Sequence, residues 1–350
     1  MTMDPSPSDI RNLSFEEAQS FFAGIGEKSF RAGQLFDWIY KKNAASFDQM
    51  TNFSAALRSR LKEHFTFQQA HNIEEHCSED GTRKVLFELA DAQRIETVLI
   101  PARGRATVCV STQAGCKFGC RFCASGIGGW KRNLETAEIL DQILYMKKTQ
   151  LEPPLTHIVF MGVGEPLDNY DNLLKAIRTI NAEKGINIGA RRITVSTCGV
   201  IPKIEKLAQE GIQLELAISL HGYDNESRNV LMPVNRKYPF DDLMACCRRY
   251  IGSTNRQITF EYILIKEVTC SQKALKALKK AFKGLICKMN LIPYNPVSEF
   301  DHQTPSRAEI YGFVDQLKDT GIHATVRMPR GRDVSAACGQ LRHGTKNPIK

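Results

Sequence analysis

From about residue 106 the chain alternates short β-branched apolar runs with longer amphipathic stretches, and this alternation constrains the fold more than any other feature. Strands are predicted at 106–112, 156–161, 191–197, 213–220, 257–265 and 286–292. Helices are predicted between and after them, at 134–149, 170–183, 202–210, 240–251, 271–283 and 305–319. Pro202 and Pro305 stand where a first helical residue is expected. Six β–α units predict parallel strands covered by helices, an α/β fold. Eight units close a barrel, so six leave a partial (β/α)6 barrel. Chemistry in such sheets collects at the C-terminal strand ends.

Residues 1–70 read as a small helical unit without catalytic residues. Ser14 and Glu17 form a capping-box pattern, Leu35, Phe36, Trp38 and Ile39 recur at helical spacing, and Leu57, Leu61 and Phe65 make a stripe behind Ser54. Residues 71–105 are a strand-rich connector. Within it RKVLFELADAQRIETVLI (83–100) predicts two strands after the Asp80–Gly81 break. Residues 106–342 are the core.

The segment MTMDPSPSDIRN has no basic stretch followed by an apolar one, and the apolar run at 216–220 is strand-sized. A cytoplasmic protein with no membrane span is expected. In that compartment the eleven cysteines are not a disulfide framework, and clustered ones suggest metal binding or catalysis. Cys77, Cys198, Cys246, Cys247, Cys270 and Cys287 are scattered and are expected to be small buried hydrophobes. The net charge of +9 is unevenly placed: residues 231–350 hold 20 Lys and Arg against 10 Asp and Glu. A basic surface there suits a polyanion, although lysine-rich helices such as 273–283 would also make a merely solvated face.

The densest chemistry is GCKFGCRFC, which places Cys116, Cys120 and Cys123 directly after the first strand of the alternating region. Thiolates select soft metals and iron–sulfur clusters. Three of them can hold three irons of a 4Fe–4S cluster and leave the fourth open. The other reading is a structural zinc site with Cys109 as fourth ligand, but zinc knuckles favour Cys-x2-Cys pairs.

This spacing, with Phe122 just before the last cysteine, resembles the signature of radical S-adenosylmethionine (SAM) enzymes. The motifs GVGEPLDNYDN (162–172), ITVSTCGVIP (193–202), LAISLHGYDNESRNVLMPVN (216–235), LIPYNP (291–296) and RGRDVSAACGQL (330–341) together resemble the RlmN/Cfr family of RNA adenine methyltransferases. Pro166 in GEP and the PYNP segment are more similar to the RlmN branch, which methylates carbon 2, than to the Cfr branch, which methylates carbon 8. Cys198, where a small residue is usual, and KEVTCS (266–271) depart from the family pattern.

The resemblance implies a radical SAM barrel holding one 4Fe–4S cluster on Cys116, Cys120 and Cys123, with SAM on its open iron. It implies SAM contacts from Gly164, Glu165, Ser196, Ser219, Leu220, His221 and Asn295. Cys338 would take a methyl group from one SAM. A second SAM, cleaved reductively, would give a 5′-deoxyadenosyl radical that activates this methyl for addition to the adenine ring. Glu96 would accept the ring proton, and Cys109 would release the product by a transient disulfide with Cys338. The competing reading of Glu96 is a strand residue facing solvent, and that of Cys338 a small core residue, the latter discounted because of the arginines nearby. Arg327, Arg330 and Arg332 suit RNA phosphates or a thiolate. Implied partners are 23S ribosomal RNA at the peptidyl-transferase centre, tRNA beside the anticodon, and flavodoxin or ferredoxin as electron donor. The protein is expected to be a monomer whose 1–70 unit assists RNA binding. Carbon-8 methylation, a radical SAM enzyme for a peptide or small metabolite, and a zinc-stabilised RNA-binding protein without catalysis are the competing readings. The C-terminal cysteine segment and the basic excess speak against the peptide or metabolite enzyme.

Overall fold

The computed structural model describes residues 7–68, 70–148, 154–319 and 321–342. Its N-terminal part is built from α1 (Phe15–Gly24), α2 (Phe30–Phe36) and α3 (Ala55–His64), tied by a parallel pairing of β1 (Ser8–Asp9) with β2 (Phe65–Thr66). The Ser14–Glu17 capping box forms in full: Ser14 Oγ accepts from the Glu17 amide and Glu17 Oε2 from the Ser14 amide. Ser54 caps α3 through the Leu57 amide. Phe22, Leu35, Phe36, Ile39, Leu57 and Leu61 fill the core, while Phe65 ends the third helix half-buried. Residues 1–6 of the opening segment lie outside the described residues.

The remainder is organised on one ten-stranded sheet. Strands β3 (His71–Cys77), β4 (Arg83–Glu88), β5 (Arg94–Ala102) and β6 (Arg105–Cys109) pair with one another antiparallel in succession. A small separate hairpin, β7 (Gln113–Gly115) and β8 (Trp130–Asn133), follows. From β6 the pairing becomes parallel through β9 (Leu155–Phe160), β10 (Ile193–Thr197), β11 (Glu215–Ser219), β12 (Ile258–Leu264), β13 (Cys287–Pro293) and β14 (His323–Val326). These strands are neighbours in chain order, as successive β–α units dictate. The helices are α4 (Thr136–Lys148), α5 (Tyr170–Asn181), α6 (Ile201–Leu207), α7 (Asn225–Leu231), α8 (Phe240–Thr254), α9 (Gln272–Ala281) and α10 (Arg307–Lys318).

All six predicted parallel strands are present, in a mixed α/β fold with an open sheet. The structure adds β14, β3, the β7–β8 hairpin and α7, none of which the sequence pattern had marked. Pro202 is the second residue of α6, one place after the predicted first position and still within its first turn. Pro305 does not open a helix: Ser306 is the N-cap, in a capping box with Glu309, so the proline stands just outside. Residue 149, the predicted end of α4, lies outside the described residues.

Two of the scattered cysteines depart from the expectation. Cys198, Cys246, Cys247 and Cys287 are buried, but Cys77 is exposed and Cys270 half-buried. Cys77 ends the edge strand β3, which among the described residues has no neighbour on its outer side. Among the described residues no helix is long and apolar enough to cross a membrane.

A buried ion-pair cluster fastens the N-terminal part to the barrel. Arg11 bonds Asp9 at 2.8 Å and Asp141 of α4 at 2.5 Å, and the other Asp141 oxygen accepts from the Ala70 amide. The guanidinium is only 2% exposed, so losing one carboxylate would leave a buried charge poorly matched.

Candidate active site

Parallel strands covered on both faces read as continuous apolar runs, so polar residues inside them stand out. Ser196, Ser219, Glu261 and Asn290 interrupt β10 to β13 in this way. Ser196 Oγ lies 3.4 Å from Ser219 Oγ, and Asn290 Nδ2 donates to Glu261 Oε1 at 2.9 Å. Ser196, Ser219 and Glu261 face a cleft of about 910 Å³.

Cys116, Cys120 and Cys123 line this same cleft. Their loop is held by the Cys123 amide on the Cys120 carbonyl and by the Arg121 amide on the Leu231 carbonyl of α7, each at 3.0 Å. Burial raises the pKa of all three thiols, Cys116 to about 12, and neighbouring cysteines add to the effect at Cys116 and Cys120. Such thiols stay protonated in water, and a soft metal is what displaces their protons. Among the described residues no three His, Cys, Asp or Glu side chains gather closely enough for one metal ion. Three thiols facing one cleft are the kind of donor set that a soft iron–sulfur centre takes.

Gly164 and Glu165 line the cleft beyond β9. Gly164 has φ of +106°, and a Cβ there would lie 2.6 Å from Gln113 Cβ, so close packing on β7 as well as the backbone angle requires glycine. Glu165 is 4% exposed and accepts from the Cys198 amide at 2.7 Å and the Leu167 amide at 3.0 Å. Burial raises its pKa despite these bonds. A carboxylate has about four acceptor positions, so it keeps capacity for a ligand donor.

His221 accepts from the Ile263 amide at Nδ1, which leaves the ring proton on Nε2. Its ring packs edge-on against Phe122 at 4.7 Å. Burial, helped by the nearby Arg228, pushes its pKa down to about 3, so it is neutral. Its φ of +50° is strained for a non-glycine residue and is held by surrounding bonds, among them the Gly222 amide on the Leu220 carbonyl. Leu220 itself is fully buried and does not line the cleft.

Cys338 does line it, although it follows Cys123 by more than two hundred residues. The Ala124 amide bonds the Gly339 carbonyl at 2.7 Å, and Ser125 Oγ bonds the Leu341 carbonyl at 2.9 Å. Asn295 holds the segment from the other side, with Nδ2 donating to the Cys338 carbonyl at 3.1 Å and Oδ1 accepting from Arg332. Asn295 and Cys109 lie behind the lining. Cys109 is a free thiol in a small apolar cluster with Val98, Val163, Ala336 and Leu341. Its pKa is pushed up to about 12 by burial and then by Cys338, with Arg327 acting in the opposite direction. Cys338 is also a free thiol and is exposed.

Glu96 is neither solvent-facing nor in the cleft lining. It is 5% exposed, pairs with Lys84 at 3.1 Å and accepts from the Arg342 amide at 2.7 Å. Burial raises its pKa. The sequence reading missed Glu261, whose Oε2 is buried without a partner among the described residues, and Arg228, which is fully buried behind Cys198. A charged residue inside the apolar run ITFEYIL was the signal for Glu261. Arg228 carried no such signal, because it lies on a helix that the pattern did not reveal.

Comparison with known proteins agrees with this geometry. The Radical SAM superfamily profile matches residues 110–278, and the profile of the ribosomal RNA large subunit methyltransferase N-terminal domain matches residues 8–67. A Lachnospira eligens protein named "Probable dual-specificity RNA methyltransferase RlmN" is 45% identical over 96% of both chains. A Bacillus anthracis protein of the same name is 44% identical over 97% of this chain and 94% of its own. The crystal structure of a radical SAM methyltransferase from Sphaerobacter thermophilus superposes with a TM-score of 0.92 at 43% identity, covering 96% of this chain and 99% of that one. The chain therefore belongs to the RlmN family of radical SAM methyltransferases.

Proposed function

We propose that the protein methylates carbon 2 of an adenosine in RNA, acting on 23S ribosomal RNA at the peptidyl-transferase centre and on the adenosine 3′ of the tRNA anticodon. One observation carries the reading: the Cys338 thiol and the Cys116–Cys123 loop share one cleft, and their segments are hydrogen-bonded to each other. A methyl-carrying thiol beside a radical-generating centre is the arrangement an unactivated ring carbon requires. The relatives' shared name supports two kinds of RNA substrate, and Pro166 and PYNP support carbon 2 over carbon 8.

The family implies a 4Fe–4S cluster and SAM, which when bound supply a methyl donor and hydrogen-atom abstraction. Cys116, Cys120 and Cys123 hold the cluster. Gly164, Glu165, Ser196, Ser219, Leu220, His221 and Asn295 shape the SAM site, with Leu220 and Asn295 acting through the backbone they fix. Cys338 accepts the methyl and presents it to the base. Arg327, whose charge is favoured chiefly by Cys338 and also by Glu261 and Cys109, partly offsets the burial that disfavours the Cys109 thiolate. Glu96 takes the ring proton, its pKa raised by burial towards the range of a useful base. Cys109 attacks the Cys338 sulfur, an S–S bond forming as the carbon–sulfur bond to the base breaks, and the released carbon takes up a proton to leave the methyl group. The N-terminal helices assist RNA binding, flavodoxin or ferredoxin delivers the electron, and the protein acts as a monomer.

The test is nucleoside mass spectrometry of ribosomal and transfer RNA from cells with and without the protein, against synthetic standards. Loss of 2-methyladenosine from both RNAs is expected on deletion. Loss of 8-methyladenosine instead would move the protein to the other branch, and no change in either would overturn the assignment.

A further inference from the structure

Three cationic side chains are deeply buried among the described residues: Arg11, Lys84 and Arg228. Arg11 is paired with Asp9 and Asp141, and Lys84 with Glu96. Arg228 differs. Its donors reach only neutral oxygens: the Leu220 carbonyl at 3.0 Å, the Cys198 carbonyl at 2.6 Å, the Ser219 carbonyl at 3.4 Å and Asn235 Oδ1 at 3.1 Å. No carboxylate among the described residues comes within ion-pair distance of it.

A buried charge is costly unless an opposite charge stands nearby. The position of Arg228 indicates which one. Its helix, α7, carries the Leu231 carbonyl that anchors the cysteine loop at Arg121. Cys198, whose carbonyl it bonds, lines the cleft with Cys120. Three thiolates around an iron–sulfur core carry a net negative charge, which grows by one when the core takes an electron.

We propose that Arg228 is the built-in counter-cation of the cysteine-bound cluster, and that it raises the cluster's reduction potential and ties the stability of this part of the barrel to cluster loading. The inference rests on the cluster reading given above. A fixed cation in a dry site favours the more negative, reduced form, and net charge and burial are what tune such potentials. Arg228 is a positioning residue here, acting on the cluster through space and on the Leu220–His221 turn through its bonds.

The experiment is a redox titration of the anaerobically reconstituted protein followed by electron paramagnetic resonance, together with melting curves of loaded and cluster-free forms. Visible absorbance and iron content of the wild type first establish the cluster; their absence overturns the cluster reading and this inference with it. With the cluster present, Arg228→Gln is expected to lower the ratio of reduced to oxidised cluster at a fixed potential at least tenfold, about 59 mV for one electron. Arg228→Lys, which keeps the charge, should stay near wild type. Asn235→Asp keeps the guanidinium and its backbone bonds but sets a carboxylate against it, so the potential should fall as in Arg228→Gln. The gap between loaded and cluster-free melting temperatures should shrink in both charge-cancelling variants. If Arg228→Gln fails to load, Asn235→Asp decides. Wild-type potential and an unchanged melting gap in the charge-cancelling variants would reduce Arg228 to a scaffold for the turn and overturn the proposal.

Discussion

The Ala124 amide donates to the Gly339 carbonyl across 2.7 Å, joining the residue after the third loop cysteine to the residue after Cys338. Two segments far apart in sequence are thereby set at one fixed spacing. Because backbone atoms make this link, the spacing depends on the local fold rather than on either side chain.

Gly339 is the vulnerable point of that link. It has φ of +83°, and a Cβ would lie 3.2 Å from the Phe122 carbonyl oxygen. Gly339→Ala is expected to cost about 1–2 kcal/mol from the backbone angle alone, before the close approach to Phe122 is counted. The Cys338 segment should shift while the loop cysteines stay in place. Mass spectrometry should show Cys338 methylation reduced at least tenfold with iron content preserved; normal methylation would show that the segment tolerates displacement.

The loop cysteines should fail in a different way. Cys116→Ala, Cys120→Ala and Cys123→Ala each remove a thiolate from a set of three, so iron, visible absorbance and SAM cleavage should all be lost. Full iron content and activity in Cys116→Ala would sink the cluster assignment.

Lys84 and Glu96 form a pair that is only 3% and 7% exposed at the side chains. Lys84→Met strands a buried carboxylate, and breaking such a pair costs about 3–5 kcal/mol. Burial already raises the Glu96 pKa, and Lys84 is the main influence lowering it. In the variant the carboxyl therefore protonates more readily. A carboxyl with a raised folded pKa weakens folding as pH rises above its unfolded value, so the cost should shrink as pH falls from 8 towards 5. Urea denaturation of the cluster-free protein measures this. Adding Glu96→Gln should recover most of the stability; a pH-independent cost would place it in packing instead.

How much of this was legible in the sequence follows from which signals are local. The six parallel strands are continuous apolar runs, because both sheet faces are covered, and each was visible. The strand β14, HATV, is short, and two of its residues, His323 and Thr325, are exposed, so it lacked that signal. The cysteine loop, the Gly164–Glu165 turn and Ser196 with Ser219 were readable as motifs at strand ends. Glu96 was named only through the family resemblance, and its burial was not legible, because its partner Lys84 is defined only by the β4–β5 pairing of Leu86 with Glu96 and its neighbours. Arg228 was hidden for a related reason: its meaning lies in the carboxylates that are missing around it, which only the packed structure reveals.

The basic excess in residues 231–350 is expected to contribute to RNA affinity by neutralising phosphates. Helix α9 carries Lys276, Lys279 and Lys280, with Lys283 just beyond its end. Converting all four to Gln should flatten the dependence of RNA affinity on salt by up to about 0.9 in log–log slope for each phosphate these lysines neutralise. Binding isotherms over a salt series measure this. An unchanged slope would make the helix a solvated face and shift RNA binding elsewhere, for instance to Arg327, Arg330 and Arg332.

Cys338 and Cys109 should fail in distinguishable ways, because in the proposed reaction one would carry the methyl and the other would free the product. Cys338→Ala leaves no carrier, so RNA should be neither modified nor attached. In Cys109→Ala the earlier steps still run, and nothing attacks the sulfur that tethers RNA to protein. A thioether does not exchange with thiols as a disulfide does, so a covalent protein–RNA species should accumulate and survive reducing agent. It should be nuclease-sensitive on a denaturing gel and vanish in the double variant. The wild-type release step should also report the Cys109 environment. Burial pushes that thiol up to about 12, and only its thiolate attacks. Below that value the thiolate fraction rises tenfold per pH unit, so adduct decay in a single turnover should accelerate about tenfold per unit between about pH 7 and 9. A flat profile would mean that a neighbouring base removes the proton within the site. If Cys109→Ala loses iron as the loop variants do, Cys109 is a metal ligand. If it methylates RNA normally without an adduct, it only packs against Val98 and Leu341, and another thiol releases the product.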